Sequence, residues 1–158
     1  EYMVAAVNNF GGFYRADLYL HEARMHGAVI CPPNVNRSNY ETRIEGRQIY
    51  LGFIMLHSFE SENARRIVKE RDRNGPYTDL DDFIDRVPIS IEQVSILIKV
   101  NAFQFTGRNK RELLWEAYMK INKVNLEDQV ATLFKTKKIS YKTPELSSSA
   151  FEDAFDEK

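Results

Sequence analysis

Apolar side chains recur at helical spacing through residues 1–9. Asn8-Asn9-Phe10-Gly11-Gly12 then interrupts, because each glycine costs a helix about 1 kcal/mol relative to Ala. The helical pattern resumes from Phe13 to His26. Tyr14, Leu18, Ala23 and Met25 lie near one face, and Gly27 is placed as a C-cap. Val29-Ile30-Cys31 predicts a short strand, stopped by Pro32-Pro33. Residues 34–39 read as a loop. Glu41 to Ile44 and Arg47 to Leu51 predict two strands around a turn at Glu45-Gly46.

After Gly52 the pattern becomes one of helices with tight connections. Phe53 to Leu56 is a short apolar helix, and Ser58 to Glu62 is a hairpin or N-cap region. Asn63 to Arg73 is amphipathic, with Ala64, Ile67 and Val68 inward, and Gly75-Pro76 ends it. Thr78 or Asp79 caps a helix from Leu80 to Arg86, and the carboxylates Asp79, Asp81 and Asp82 suit its first turn. After Pro88, Ser90 caps Ile91 to Lys99, with Glu92 and Gln93 near the N3 position of a capping box. Phe103 and Phe105 are set to plug the core. Asn109 to Val124 is the last helix, with Leu113, Leu114, Ala117, Tyr118 and Ile121 as its apolar stripe. Beyond Asn125 periodicity fades into a linker containing Ser147-Ser148-Ser149, broken by an apolar island at Val130, Ala131, Leu133 and Phe134. The fold class expected is mainly α with a small β element near residues 29–51.

Composition changes this picture little but excludes much. The chain has 158 residues, 43% of them hydrophobic, which is enough for a real core. A single cysteine, Cys31, excludes an internal disulfide and a cysteine-rich zinc site. No apolar run approaches the roughly 18 residues of a membrane span, and no signal peptide opens the chain, so a soluble, cytoplasmic protein is expected. The chain begins at Glu1, already in helical pattern, which suggests a piece of a longer protein.

Enzyme chemistry finds little support. His21, His26 and His57 have no second ligand one turn away, and solvated histidines are the simpler reading. Cys31 reads as a small hydrophobe, and Asp79, Asp81 and Asp82 as helix-start carboxylates. No phosphate-cradling Gly-rich motif occurs. Charge by segment is more informative than the net charge of -1. Residues 60–75 hold five cations against four carboxylates, residues 108–123 five against two, and residues 126–158 five against seven. Clustered cations beside short turns suit phosphate binding, because each neutralised phosphate releases counterions. Ordinary solvated helix faces account for the same residues.

Several stretches carry a family resemblance. Gly27 to Asn36, G-A-V-I-C-P-P-N-V-N, resembles the H-G-I-x-I-L-P-P-D-V-N signature of the bacterial replicative DNA polymerase III alpha subunit, the C-family polymerases. Tyr2 to Val7 looks like that family's E-F-M-A-A-L helix, and Leu51-Gly52 is similar to its G-L-G-A-I-K stretch. Gly75 to Phe83 looks like G-P-F-x-S-L-x-D-F, Leu97 to Phe103 resembles L-I-K-A-G-A-F-D, and Gly107 to Arg111 resembles G-x-x-R. The matches keep family order from residue 1 to about residue 118.

The resemblance implies an internal fragment of the polymerase. Residues 1–51 would be the C-terminal part of the fingers. Residues 52–124 would be a tandem helix-hairpin-helix module that binds duplex DNA, and residues 125–158 a linker. It implies chromosomal DNA replication by a DNA-directed DNA polymerase, a nucleotidyltransferase, using Mg2+. The catalytic aspartates would lie upstream of this chain, so the fragment alone would be inactive and hold no cofactor. The first hairpin reads K-G-V-G in the family, and here the aligned residues are His57-Ser58-Phe59-Glu60. Those glycines let backbone N–H groups approach a phosphate; Glu60 puts a carboxylate there. The residues expected at DNA are therefore Ser58 in the first hairpin and Thr106, Gly107, Arg108, Lys110 and Arg111 in the second. Gln129-Val130-Ala131-Thr132-Leu133-Phe134 is similar to the Q-x-x-L-F peptide with which this family docks on the sliding clamp, through Gln129, Leu133 and Phe134. The partners implied are duplex DNA, the clamp and other polymerase III holoenzyme subunits. The alternative is a purely structural brace between the fingers and later domains, whose first hairpin no longer touches DNA.

Overall fold

The computed structural model describes residues 2–9 and 15–130, residues 123–130 as helical backbone alone. Its elements in chain order are α1 (Tyr2–Asn8), α2 (Ala16–Met25), β1 (Val29–Cys31), β2 (Arg43–Glu45), β3 (Gln48–Tyr50), a 3-10 turn (Phe53–Met55), α3 (Ser61–Asn74), α4 (Leu80–Arg86), α5 (Ile91–Lys99), a second 3-10 turn (Gln104–Thr106) and α6 (Lys110–Val130). The expected class, mainly α with a small β element, is what forms. β1, α4 and α5 span the residues their patterns mark out. Glu45 pairs with Gln48, which moves the β2–β3 turn one residue on, to Gly46-Arg47. α6 continues six residues past Val124, because Asn125 to Val130 contain neither Gly nor Pro to stop it. Phe13 and Tyr14 lie outside the described residues.

Local capping explains the tight connections. Asp79 is the N-cap of α4: its carboxylate accepts from the Asp82 N–H at 2.8 Å, and Asp82 accepts in return from the Thr78 N–H at 3.1 Å. This is a variant of the capping box, built from two aspartates, whose return bond takes the N–H one residue before the N-cap. The box expected at α5 does not form. Ser90 occupies the N-cap with extended backbone and makes no side-chain cap bond, while Gln93 turns away from it into the core.

β1 runs parallel to β3, and β2 antiparallel to it, in the order β1-β3-β2. One face of this small sheet packs with α1 and α2 around Val4, Ala23 and Ile49. The larger core belongs to the helices. Phe53, Ile67, Leu80, Phe83, Val94, Leu97, Ile98, Phe103 and Leu113 are all essentially inaccessible, with Phe83 set edge-on to both Tyr77 and Phe103 at 5.0 Å. Such aromatic pairs add about 0.5–1.5 kcal/mol beyond the area they bury.

The Pro-Pro loop after β1 joins the two regions. Val35 is a fully buried member of the helical core, and its N–H donates to the Ala102 carbonyl at 3.2 Å. The Asn36 side chain pairs with both backbone polar atoms of Tyr77, at 2.9 and 2.7 Å. From α3, the Arg71 guanidinium donates to the carbonyls of Ser38 (2.7 Å) and Val35 (3.3 Å) and to Asn39 Oδ1 (2.9 Å). These bonds satisfy backbone groups that loop burial takes from water. Ser38 extends the same loop to Leu51 O, at 2.7 Å. Next to it, a Cβ on Gly52 would meet the backbone carbon of Glu41 at 2.3 Å, so that crossing admits only glycine.

Candidate nucleic-acid interface

Two hairpins are the points at which a helix-rich chain of this kind presents backbone to a ligand. In the first, the 3-10 turn Phe53–Met55 leads through Leu56 to Phe59 into α3. Ser58, exposed, takes φ +59°, a left-handed conformation favoured by glycine. Asn101 takes φ +62° at the end of α5. These are the two non-glycine residues with positive φ among the described residues. Phe59, directly after Ser58, and Phe103, two residues after Asn101, both pack in the helical core. The backbone counterpart of Ser58 is thus Asn101, which reading along the sequence does not single out. The signal is there: Asn tolerates the left-handed region better than most residues.

Each hairpin is braced from behind by a buried polar group. The Gln93 side chain accepts from the Glu60 N–H at 2.9 Å and donates to the Ser58 carbonyl at 3.0 Å. Gln93 is the other residue not anticipated as part of the site. Glu60 is the N-cap of α3, but its carboxylate makes no cap bond to the helix and accepts instead from Asn63 Nδ2 at 2.9 Å. The second hairpin is held by the Val35 bond to Ala102.

The residues Thr106 to Arg111 form one corner ahead of α6. The Thr106 hydroxyl donates to the Phe103 carbonyl at 2.9 Å, and Gly107 is left-handed at φ +67°. Asn109 caps α6, accepting from the Glu112 N–H at 2.9 Å. The cations do not converge there. Arg108, two residues ahead of α6, folds along that helix onto Glu116, to which it hydrogen-bonds, with Glu112 at 3.8 Å. Lys110 is buried. Arg111 is exposed. Further along, Lys120 reaches α4, 2.9 Å from Asp85 and 3.2 Å from Asp81. Burial works against the Lys120 charge, but these two aspartates outweigh it and hold its pKa above the ordinary lysine value. Burial pushes the Glu116 carboxyl up, against the pull of Arg108. Ser58 lies apart in the other hairpin, clasped by α5. Of the expected clamp residues, Leu133 and Phe134 lie outside the described residues, and so does the side chain of Gln129, whose backbone falls in the last turn of α6.

Paired helices joined by hairpins with left-handed corners define a class, and comparison with known proteins agrees. The chain belongs to the family described as helix-hairpin-helix motif, matched over residues 27–113. Its match takes in the Pro-Pro loop together with both hairpins. The likeness to the C-family polymerases is also borne out. The chain is 34% identical over 108 residues to an error-prone DNA polymerase of Mycolicibacterium paratuberculosis, 67% of this chain and 10% of that one. It is 33% identical over 98 residues to the DNA polymerase III subunit alpha of Thermus aquaticus, 60% of this chain and 8% of the relative. To the DNA polymerase III subunit alpha of Staphylococcus epidermidis it is 28% identical over 143 residues, 87% of this chain and 13% of that one. The chain thus spans about a tenth of the length of the curated relatives it matches.

Proposed function

We propose that this chain is a non-catalytic, DNA-holding part of a C-family replicative polymerase. It binds duplex DNA through its paired hairpins. The observation that carries the reading is the helix-hairpin-helix family match over residues 27–113, on a backbone that keeps two left-handed hairpin corners at Ser58 and Asn101. DNA contact by the hairpins falls to exposed Ser58 and Arg111 and to Thr106, Gly107 and Arg108 of the corner, whereas the expected contact by Lys110 is opposed by its burial. The whole protein would be a DNA-directed DNA polymerase of the cytoplasm, working with the other holoenzyme subunits in chromosome replication. Polymerisation by the whole protein would need Mg2+, which the resemblance assigns to aspartates outside this chain. No helix of the described residues is long and apolar enough to cross a membrane.

Anisotropy of a fluorescein-labelled duplex, titrated with the full chain at low and moderate salt, tests this. Binding should be present and should weaken steeply with salt. Absent or salt-independent binding contradicts it. The tail motif adds a second element: Gln129, Leu133 and Phe134 would dock in the sliding clamp. Retention of the chain on immobilised clamp should disappear in Leu133→Ala plus Phe134→Ala, and unchanged retention contradicts that part.

A second reading, a structural brace, is favoured by specific contacts. The Glu60 N–H is taken by Gln93, and Arg108 and Lys120 are neutralised within the fold. It predicts no duplex binding in the same titration.

A further inference from the structure

The sequence places its greatest excess of cations on residues 108–123, yet the structure neutralises much of that excess. The opposite holds on α3. Each carboxylate of this helix is engaged. Glu62 sits near Arg66 at 3.9 Å, Glu70 binds Asn74 at 2.6 Å and Arg86 at 3.3 Å, and Asp72 lies 3.3 Å from Arg71. Arg71 itself faces inward and holds the Pro-Pro loop. Arg65, Lys69 and Arg73 remain. All three are exposed, and among the described residues none of them forms an ion pair with a carboxylate. They stand four residues apart on the face opposite Asn63, Ala64 and Ile67, which point into the core. At about 1.5 Å of rise per residue they form a ladder about 12 Å long. Arg65 is further oriented by stacking over the Tyr40 ring, 5.1 Å from its centroid.

We infer that this outer face of α3 is a phosphate-binding surface for duplex DNA, with Arg65, Lys69 and Arg73 lying along the backbone of one strand. The inference rests on the duplex-binding reading above and gives it residues other than the hairpins. The geometry suits the ligand. A strand rises about 3.4 Å per nucleotide along the duplex axis, and successive phosphates along it lie about twice as far apart. That is close to the ~6 Å between neighbouring cations of the ladder, so each of the three cations can neutralise one phosphate. The side chains are long, and Glu70 acts on Arg73 only from beyond ion-pair distance, so binding need break no short internal ion pair. No base-reading geometry is built here, so the contact is independent of sequence.

The test is a salt titration of the full chain with a labelled duplex of about 20 bp and mixed sequence, between roughly 50 and 200 mM salt. Replacing Arg65, Lys69 and Arg73 together by Ala should flatten the slope of log K against log salt by about 2.7, three contacts at about 0.9 each, and weaken binding at low salt at least tenfold. Arg65→Lys plus Arg73→Lys keeps three cations and should leave the slope within about one unit of the parent. Circular dichroism of each variant should match the parent, since none of the three side chains is buried. If the parent binds and the triple Ala variant keeps both its affinity and its slope, the α3 surface is wrong while the duplex reading stands. If the parent shows no salt-dependent duplex binding, the duplex reading fails and this inference fails with it.

Discussion

Helices α3 and α6 look alike in sequence, yet they use their cations differently. Both open after a hairpin, and both carry several Arg and Lys residues. At α6, Arg108 just ahead of the helix is bound to Glu116, Lys120 is bound to Asp81 and Asp85, and Lys110 is buried. On α3 the carboxylates bind partners around the helix, which leaves Arg65, Lys69 and Arg73 facing solvent. Net charge by segment ranks the two helices in the wrong order for this purpose. What matters is which carboxylates the fold brings within reach. A sequence count cannot see Asp81 and Asp85 approaching Lys120 from 39 and 35 residues away.

Substitutions should separate the two helices. If engagement rather than helix identity decides a cation's role, Arg71 on α3 should behave as an internal group. Arg71→Ala leaves the carbonyls of Val35 and Ser38 without their donor in a mostly buried setting. It should cost about 2–4 kcal/mol in urea unfolding and leave the salt slope of DNA binding unchanged. Gln93→Ala should cost about 1–3 kcal/mol by the same measurement, because it orphans the Glu60 N–H and the Ser58 carbonyl together.

Arg108→Ala should cost only about 0.5–1 kcal/mol, as a partly exposed ion pair does. Its clearer signature is in pH. Burial raises the folded pKa of Glu116 above the ordinary 4.5, so the folded state favours its protonated form. That contribution is complete below the unfolded value and is lost as pH rises through the folded value. Arg108 opposes the shift. Its removal should raise the Glu116 pKa further, read by carboxyl NMR titration, and Glu116→Gln should abolish this part of the pH dependence of stability.

The smallest effect compares the two hairpins. A left-handed L-residue costs about 1–2 kcal/mol, offset in part by the roughly 0.5–1 kcal/mol of entropy that glycine loses on folding. Ser58→Gly should therefore raise unfolding free energy by about 0.5 kcal/mol, and Asn101→Gly by less, since Asn tolerates this region. Equal gains would remove the distinction between the two corners.

Much of the fold is legible from local chemistry. Pro, Gly and Asp set the limits of β1, α4 and α5, Ala64, Ile67, Leu113 and Ala117 follow the helical period into the core, and Phe103 plugs it from a connector. The interface is less legible. Thr106 to Arg111 read as a cationic run, but the partners that neutralise Arg108 depend on how its side chain folds along α6. Gln93 reads as a capping-box residue because capping is a local rule, and its actual partners lie 33 and 35 residues away. The Pro-Pro loop reads as a connector, although Val35, Asn36 and the contacts from Arg71 make it part of the helical core. Interactions set by tertiary approach are the ones that a linear reading misses. Asn101 escapes for another reason: its cue is a conformational preference, and a charge count along the chain passes over it.

The central claim is that the exposed cations of α3 exceed those at the head of α6 in holding duplex DNA. The direct measurement sets two variants of the full chain side by side, Arg65→Ala plus Lys69→Ala plus Arg73→Ala against Arg108→Ala plus Arg111→Ala, each titrated with the same labelled duplex across salt. The slope should fall by about 2.7 in the first and by no more than about 1 in the second. A slope that collapses in the α6 variant and survives in the α3 variant would contradict the claim.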